Sequence, residues 1–470
     1  MHGIVIAGTH SGCGKTTVTL GILAALREKG LQVQSFKTGP DFIDAGLHRI
    51  ITGRPSRNLD IWMCGAEEVA KCFSRHTGDA DIAVVEGVMG MYDGDFSTAS
   101  LACLLDLPVV LVVDAYGMAE SAAAVVKGFM TYDSPAPFFA GVIFNRVASE
   151  SHFKRLKECI RDVPVLGYLP RDLDFEIPHR HLGLATAEES PLSNENIKKL
   201  AGAILKHIDI DTLIKREEGT TEGSDSPERP PVARPAASSR LSLAVAYDRA
   251  FCFYYEDNLD ALRDAGIDIV TFSPLADPLL PDRVDGIYIG GGYPELYAEA
   301  LSGNTSLLSA LRDWSCEGKP LYAECGGLMY LSQGIYDFEG AFFPMTGILP
   351  FPTQMKKGRA RLGYREIVLE AECILGKKGS VCRGHEFHYS EIREDVKEGG
   401  NRDAGDRKCP GLPEEKAPEP ARIYSVRDRT GRILPGEGYR VRTTLASYIH
   451  VHFGSNADIA ESFAHFIQER

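Results

Sequence analysis

The run Ala7-Gly8-Thr9-His10-Ser11-Gly12-Cys13-Gly14-Lys15-Thr16-Thr17 constrains this chain more than any other. It follows an apolar strand pattern, Ile4-Val5-Ile6-Ala7, and leads into helical spacing over Thr17 to Glu28 with Gly30 as the stop. A strand, a glycine loop and a helix in that order gather backbone N–H groups and a helix N-terminus around one point. That arrangement cradles phosphate. Within it Lys15 reaches the β- and γ-phosphates of a nucleotide, the Thr16 hydroxyl coordinates Mg2+, and Gly12, Gly14 and Thr17 complete the loop. The spacing departs from the usual GxxxxGK[ST] at one place, because Thr9 stands where the pattern wants glycine. A glycine turn that binds nothing is the competing reading, and Lys-Thr at the helix start argues against it.

A loop of this kind needs a parallel sheet behind it, and the next segments supply one. Val33 to Phe36, Asp81 to Val85, Val109 to Val113, Gly141 to Phe144 and Val165 to Leu169 are short β-branched runs separated by helical stretches. They predict a mostly parallel α/β sheet covered on both faces. Around Glu217 to Ser239 the chain turns polar and rich in Pro, Gly and Ser, which reads as a linker. A second strand–helix series opens at Leu241 to Ala246 and continues through a helix over Asn258 to Ala265. Strands at Asp268 to Phe272, Gly286 to Ile289 and Pro320 to Ala323 extend it. At 470 residues one core is not expected. The expected plan is two α/β domains, 1–212 and 241–470, joined by a flexible linker over 213–240. Glu394 to Pro420 reads as a charged surface insertion.

The formal charge of −14 argues against nucleic acid as the main partner. No apolar run reaches the roughly 18 residues that cross a bilayer, so no membrane partner is expected. The chain carries 11 cysteines without a CxxC pair, which argues against a zinc ribbon and suits a reducing cytoplasm.

Mg–ATP needs acidic ligands at neighbouring strand ends. Glu86 directly follows the strand ending at Val85, and Asp41 and Asp44 follow the strand ending at Phe36. The carboxyl ends of parallel strands converge, so these groups are expected beside the phosphate loop. Asn145, at the end of Gly141-Val142-Ile143-Phe144, is placed to read an adenine edge.

A second reactive centre lies at Ala323-Glu324-Cys325-Gly326-Gly327. It reads as strand, sharp turn and helix, with the cysteine presented as a nucleophile. Turn N–H groups and the helix N-terminus are expected to lower its pKa and stabilise an oxyanion. A buried structural cysteine is the alternative. Ala446 to Phe453 reads as one strand that places His450 and His452 on one face, and either is a candidate base. Gly290-Gly291-Gly292, after the strand ending at Ile289, joins Gly326 as the expected oxyanion and glutamine pocket.

Several motifs resemble the cobyrinic acid a,c-diamide synthase family. In the N-terminal part they are Lys37-Thr38-Gly39-Pro40-Asp41-Phe42-Ile43-Asp44, Glu86-Gly87-Val88-Met89-Gly90-Met91-Tyr92-Asp93-Gly94, and Leu169-Pro170-Arg171 with His181-Leu182-Gly183-Leu184. That part is related to dethiobiotin synthetase. The C-terminal part, including Gly384-His385-Glu386-Phe387-His388-Tyr389-Ser390, resembles the family's glutamine amidotransferase domain. The resemblance implies Mg2+ held by Thr16, Asp41 and Glu86, ATP as cosubstrate, Cys325 as nucleophile and His450 as base. Triad amidotransferases place a carboxylate two residues after the base, where this chain has His452. Partitioning ATPases share the loop but carry a lysine near position 10, where this chain has His10.

The implied acceptor is the a- and c-acetate pair of a corrinoid, cobyrinic acid, in cobalamin biosynthesis. Lys37, Asp44, His48 and Tyr92, with Arg49, Arg180 and His181, are the expected substrate neighbourhood. Ammonia shielded at a closed domain interface, and a homodimer as one possible assembly, belong to the same expectation. One rival in the same chemistry is amidation of nickel sirohydrochlorin on the way to coenzyme F430. A rival of another class is a nucleotide-switched regulator with an inactive amidotransferase domain.

Overall fold

The computed structural model describes residues 3–173, 192–214, 240–358, 361–393 and 420–470. Arg180, the motif 181–184, the linker segment 217–239 and the charged patch 394–419 lie outside the described residues. The chain forms two compact units, Met1–Val232 and Ala233–Arg470.

The first unit runs β1 (Gly3–Gly8), α1 (Lys15–Glu28), β2 (Val33–Thr38), α2 (Phe42–Thr52), β3 (Arg57–Leu59), α3 (Ile61–Thr77), β4 (Ile82–Glu86) and α4 (Thr98–Leu105). It continues with β5 (Val109–Asp114), α5 (Ser121–Thr131), β6 (Phe139–Val147), α6 (Glu150–Cys159), β7 (Val165–Pro170), α7 (Asn194–His207) and α8 (Ile210–Ile214). The seven strands pair in the order β3-β2-β4-β1-β5-β6-β7, all parallel. Strand alternation sorts the apolar side chains between two cores. Ile4, Ile6, Val84, Val110 and Ile143 pack with α1, α2 and α7, while Val5, Ala7, Val85, Leu111 and Phe144 pack with α3, α4, α5 and α6. Each fully buried aliphatic side chain contributes about 2 kcal/mol. The result holds β1, β2 and β4 side by side with their carboxyl ends level.

The second unit begins β8 (Leu241–Ala246), α9 (Glu256–Asp264), β9 (Ile267–Phe272), β10 (Gly286–Ile289), α10 (Ala298–Gly303), α11 (Thr305–Cys316), β11 (Leu321–Glu324) and α12 (Gly326–Leu331). Short strands β12 (Gly334–Tyr336), β13 (Phe342–Pro344) and β14 (Thr353–Met355) follow, then β15 (Arg361–Leu369), β16 (Val381–His388), β17 (Ser390–Ile392), β18 (Ala421–Asp428) and β19 (Ile433–Val441). β20 (Thr444–Ser447), β21 (Ile449–His452) and α13 (Ile459–Gln468) complete it. The large sheet has the order β21-β16-β15-β18-β19-β20-β11-β10-β8-β9. It is parallel from β9 to β20 and antiparallel from β20 through β19 to β21.

The expected single strand over Ala446 to Phe453 is two strands. Tyr448 separates them because its N–H donates to Glu437 Oε1 at 2.6 Å and so leaves the ladder. β20 therefore pairs with β11, and β21 turns to pair with β16, where His450 lies opposite His385. This bend sets the position of His450.

Candidate active sites

In the first unit the phosphate loop spans the gap between β1 and α1. Gly12 and Gly14 take left-handed backbone angles, φ 83° and 95°, that a side chain would strain. Gly8 does the work expected of a glycine at position 9. A Cβ there would lie 2.4 Å from Cys13 Sγ and 2.7 Å from Lys15 Cγ, so the loop closes on β1 only because that atom is missing. Lys15 is buried, and its ammonium donates to the carbonyl oxygens of Met89 and, at 3.4 Å, of His10. Burial, with help from Lys37, pulls its pKa down against Cys13, Glu86 and Asp44, and an incoming phosphate would add counter-charge.

Beside the loop, oxygen ligands converge. Thr16 Oγ1 donates to Glu86 Oε1 at 2.6 Å and to Asp44 Oδ2 at 3.5 Å. The ammonium of Lys37, also buried, sits 3.0 Å from Asp44 Oδ2 and 3.4 Å from Glu86 Oε1. His48 Nε2 lies 2.6 Å from Glu86 Oε2, and its Nδ1 lies 3.2 Å from Ser56 Oγ. Burial alone would raise the Glu86 carboxyl, but Lys37, His48 and Thr16 outweigh it and bring it down to about 2. Burial likewise opposes the charge on Lys37, yet Glu86 and Asp44 carry its pKa above the ordinary lysine value.

This geometry redistributes the expected roles. Asp41 caps α2, its Oδ1 accepting from the N–H of Ile43 at 2.8 Å and of Asp44 at 2.9 Å. Asp44, expected against substrate, is the carboxylate that meets Thr16. His48 has no exposed surface and backs Glu86. Tyr92 is not brought into the cluster, since its hydroxyl donates to the carbonyl of Phe129 at 2.6 Å and its ring packs on Phe129 and Tyr132. The Asn145 amide donates to the carbonyl of Cys13 at 3.0 Å, which ties the end of β6 to the loop. Thr16, Glu86 and Asp44 form a set of hard oxygen donors, the chemistry that Mg2+ requires.

In the second unit Cys325 sits between β11 and α12 at φ 49°, ψ −103°. A non-glycine residue rarely takes such angles, and the fold over-determines them here. Its N–H donates to the carbonyl of Ser447 at 2.7 Å, and its thiol faces the carbonyl of Phe387 at 3.7 Å. The loop Gly290-Gly291-Gly292 is wedged against both this turn and His450. Gly327 N–H donates to the carbonyl of Gly290 at 3.0 Å. A Cβ on Gly326 would lie 3.0 Å from the Gly292 nitrogen, and one on Gly291 would lie 2.3 Å from His450 Cε1. Nucleophile, candidate base and candidate oxyanion donors thus meet at one loop.

His450 is buried, with the His385 ring stacked on it at 4.8 Å and 13°. His385 faces the Tyr255 hydroxyl at 2.6 Å. Burial, then the neighbouring His450 and His452, holds the pKa of His385 well below the usual histidine value. His450 Nδ1 lies 3.7 Å from Glu324 Oε2, a neighbour the sequence reading did not single out. The expected lowering of the Cys325 pKa is not what the structure shows. Burial and the Glu295 carboxylate push the thiol up, and the Gly326 N–H only partly opposes them.

Comparison with known proteins matches the same two units. Residues 4–184 match the model of the CobQ/CobB/MinD/ParA nucleotide binding domain, and residues 242–458 that of the CobB/CobQ-like glutamine amidotransferase domain. The cobyrinate a,c-diamide synthase of Syntrophotalea carbinolica is 44% identical over 98% of this chain and 98% of its own. This chain belongs to the cobyrinate a,c-diamide synthase family. The enzyme of that name from Streptococcus sanguinis is 41% identical with 100% of each chain covered. That from Salmonella typhimurium is 42% identical over 98% of this chain and 97% of its own. Among the described residues no helix is long and apolar enough to cross a membrane.

Proposed function

We propose that this chain converts cobyrinate to its a,c-diamide, with ATP to activate each carboxylate and glutamine to supply the nitrogen. The observation that carries the reading is the pairing, in one chain of this family, of a phosphate loop beside Thr16, Glu86 and Asp44 with a Cys325–His450 centre. Residues 1–212 are assigned the ligase step, 241–470 the glutaminase step, and 213–240 the connection.

In the ligase step Lys15 and the loop N–H groups bind the γ-phosphate as it passes to an acetate oxygen of the substrate. ADP leaves and an acyl phosphate forms. Activation is needed because hydroxide is a poor leaving group. Ammonia then attacks the acyl carbon, inorganic phosphate departs, and the amide remains. Thr16 and Glu86, with Asp44 or the second oxygen of Asp41, would hold Mg2+, which supplies charge screening on the phosphates when bound. Lys37 and His48 act from behind, holding Asp44 and Glu86 in place and Glu86 ionised, while burial and the neighbouring Asp41 and Glu86 push the Asp44 carboxyl up against the pull of Lys37. The nucleoside would extend toward the cleft of about 540 Å³ lined by Tyr116, Arg146, His152, Arg155 and Arg171, beyond Asn145.

In the glutaminase step the resting centre holds a protonated thiol, since burial and Glu295 push the Cys325 pKa up. His450 takes the thiol proton as Sγ attacks the glutamine amide carbon. The N–H groups of Gly292 and Gly326 face the developing oxyanion. His450 returns the proton to the leaving ammonia, and water then hydrolyses the glutamyl thioester to glutamate. The enzyme is assigned to the cytoplasm, where ATP and glutamine are supplied, and to a homodimer, which sedimentation analysis tests.

The deciding experiment is the product mass with amide-15N glutamine. Cobyrinate should gain two labelled amides with two ATP consumed. Labelled amidation of nickel sirohydrochlorin in place of cobyrinate would transfer the reading to that tetrapyrrole. Nucleotide binding without any glutamine-dependent turnover would support the regulator instead.

A further inference from the structure

We propose that Glu324 is the positioning residue of the glutamine site, its carboxylate orienting His450 through Nδ1. The inference rests on Cys325 and His450 being nucleophile and base.

The position two residues after the base, which carries the orienting carboxylate in triad amidotransferases, is His452. It carries no negative charge, its Nδ1 accepts from the N–H of Gly454 at 3.1 Å, and its ring packs on Tyr255. Glu324 instead supplies a carboxylate at the base. It is 1% exposed, and its Oε2 lies 3.7 Å from His450 Nδ1. That is an ion-pair distance rather than a hydrogen bond. Catalytic pairs of this kind commonly tighten only once substrate is bound.

The carboxylate is held on its other sides. Oε1 accepts from the Tyr322 hydroxyl at 2.7 Å and the Val451 N–H at 3.0 Å, and Oε2 accepts from the Tyr288 hydroxyl at 2.8 Å. Each oxygen has two lone-pair directions. Oε1 is filled by these contacts, and Oε2 keeps one direction toward His450. These three donors are neutral, so they fix the group without cancelling its charge. The counter-charge arises when His450 accepts the Cys325 proton. A buried carboxylate then stabilises the imidazolium more than it could in water.

The ring orientation agrees. A Cβ on Gly291 would lie 3.1 Å from His450 Nε2 and 3.4 Å from Nδ1, so Nε2 is the nitrogen nearer the oxyanion loop while Nδ1 meets Glu324. Around His450 stand Glu324, at 3.7 Å from Nδ1, and the stacked ring of His385 from β16, with His452 two residues on along its own strand. Burial keeps His385 and His452 from charging readily. Arg365 and Glu386 form their own pair at 2.6 Å.

Glu324→Gln tests this, assayed with ATP and tetrapyrrole present. The kcat of glutamine hydrolysis should fall about 100-fold or more with KM for glutamine unchanged. The acid limb of the kcat/KM profile should move to lower pH, because the imidazolium loses its partner. Amidation with ammonium chloride should be unaffected. Wild-type kcat and an unmoved acid limb, in a preparation where Cys325→Ala is inactive with glutamine, would overturn the role of Glu324. Glutamine hydrolysis surviving in Cys325→Ala would instead remove the reading of the site itself. Should the glutamine variant not fold, 15N NMR of wild-type imidazoles decides. Neutral His450, assigned by its loss in His450→Ala, should carry its proton on Nδ1, and a proton on Nε2 overturns the inference.

Discussion

Gly291 leaves room for His450: a Cβ at residue 291 would stand 2.3 Å from Cε1 of that imidazole. His450 is 2% exposed and cannot swing away without disturbing the His385 stack or the β21 backbone. Gly291→Ala should therefore reduce glutamine-driven amidation by at least about 100-fold, the scale of losing a positioned base. Amidation with ammonium chloride at pH 8.5 should stay within a factor of two or so of wild type. Loss of both routes would mean that the glycine serves the fold rather than the base.

Cys325 should behave as a protonated thiol until substrate arrives. Its burial beside Glu295 raises its pKa, so alkylation by iodoacetamide, followed at this peptide by mass spectrometry, should climb through pH 9 without a plateau. A plateau near neutrality would show a preformed thiolate and would shift the activating role from His450 to the turn. His450→Ala should then slow glutamine hydrolysis more than His452→Ala.

The two sites were not equally legible in the amino-acid pattern. Strand, glycine loop and helix over residues 4–28 announce themselves, because apolar alternation, Gly12, Gly14 and Lys-Thr all serve one local geometry. The turn at Cys325 is similarly local. Glu324 is different. Its meeting with His450 depends on β11 pairing with β20 and on the bend at Tyr448, a long-range register that periodicity does not carry. β15 was hidden for another reason. Arg361, Arg365 and Glu366 give it the polarity of a surface segment, yet Arg365 and Glu386 pair across β15 and β16 and make that polarity tolerable inside a sheet. Gly8 shows the converse, since the close approach demanded of residue 9 is met one residue earlier.

Lys15→Ala should abolish amidation with glutamine and with ammonium alike. The Lys15 ammonium is poised at the loop mouth on carbonyls of Met89 and His10, and no nitrogen donor bypasses transfer of the γ-phosphate. Glutamine hydrolysis measured alone separates the effects, because its chemistry lies in the other unit. Ammonium-driven turnover retained by Lys15→Ala would remove this side chain from the mechanism.

Glu86 makes a prediction about acid stability. Its carboxyl stands at about 2 in the folded chain against 4.5 for the free side chain, burial being outweighed by Lys37, His48 and Thr16. A carboxyl with a lowered folded pKa binds fewer protons folded than unfolded between those values. Its contribution is therefore complete above pH 4.5 and is lost as pH falls toward 2. Glu86→Gln should lower the urea midpoint of the nucleotide unit at pH 7, because Lys37 and His48 lose a buried partner. The deficit relative to wild type should shrink between pH 4.5 and 2. Glu386, also held at about 2, supplies the control, since Glu386→Gln should produce the same convergence in the amidotransferase unit. A deficit for Glu86→Gln that stays constant through that window would show that packing, rather than the charge on Glu86, is what the substitution removes.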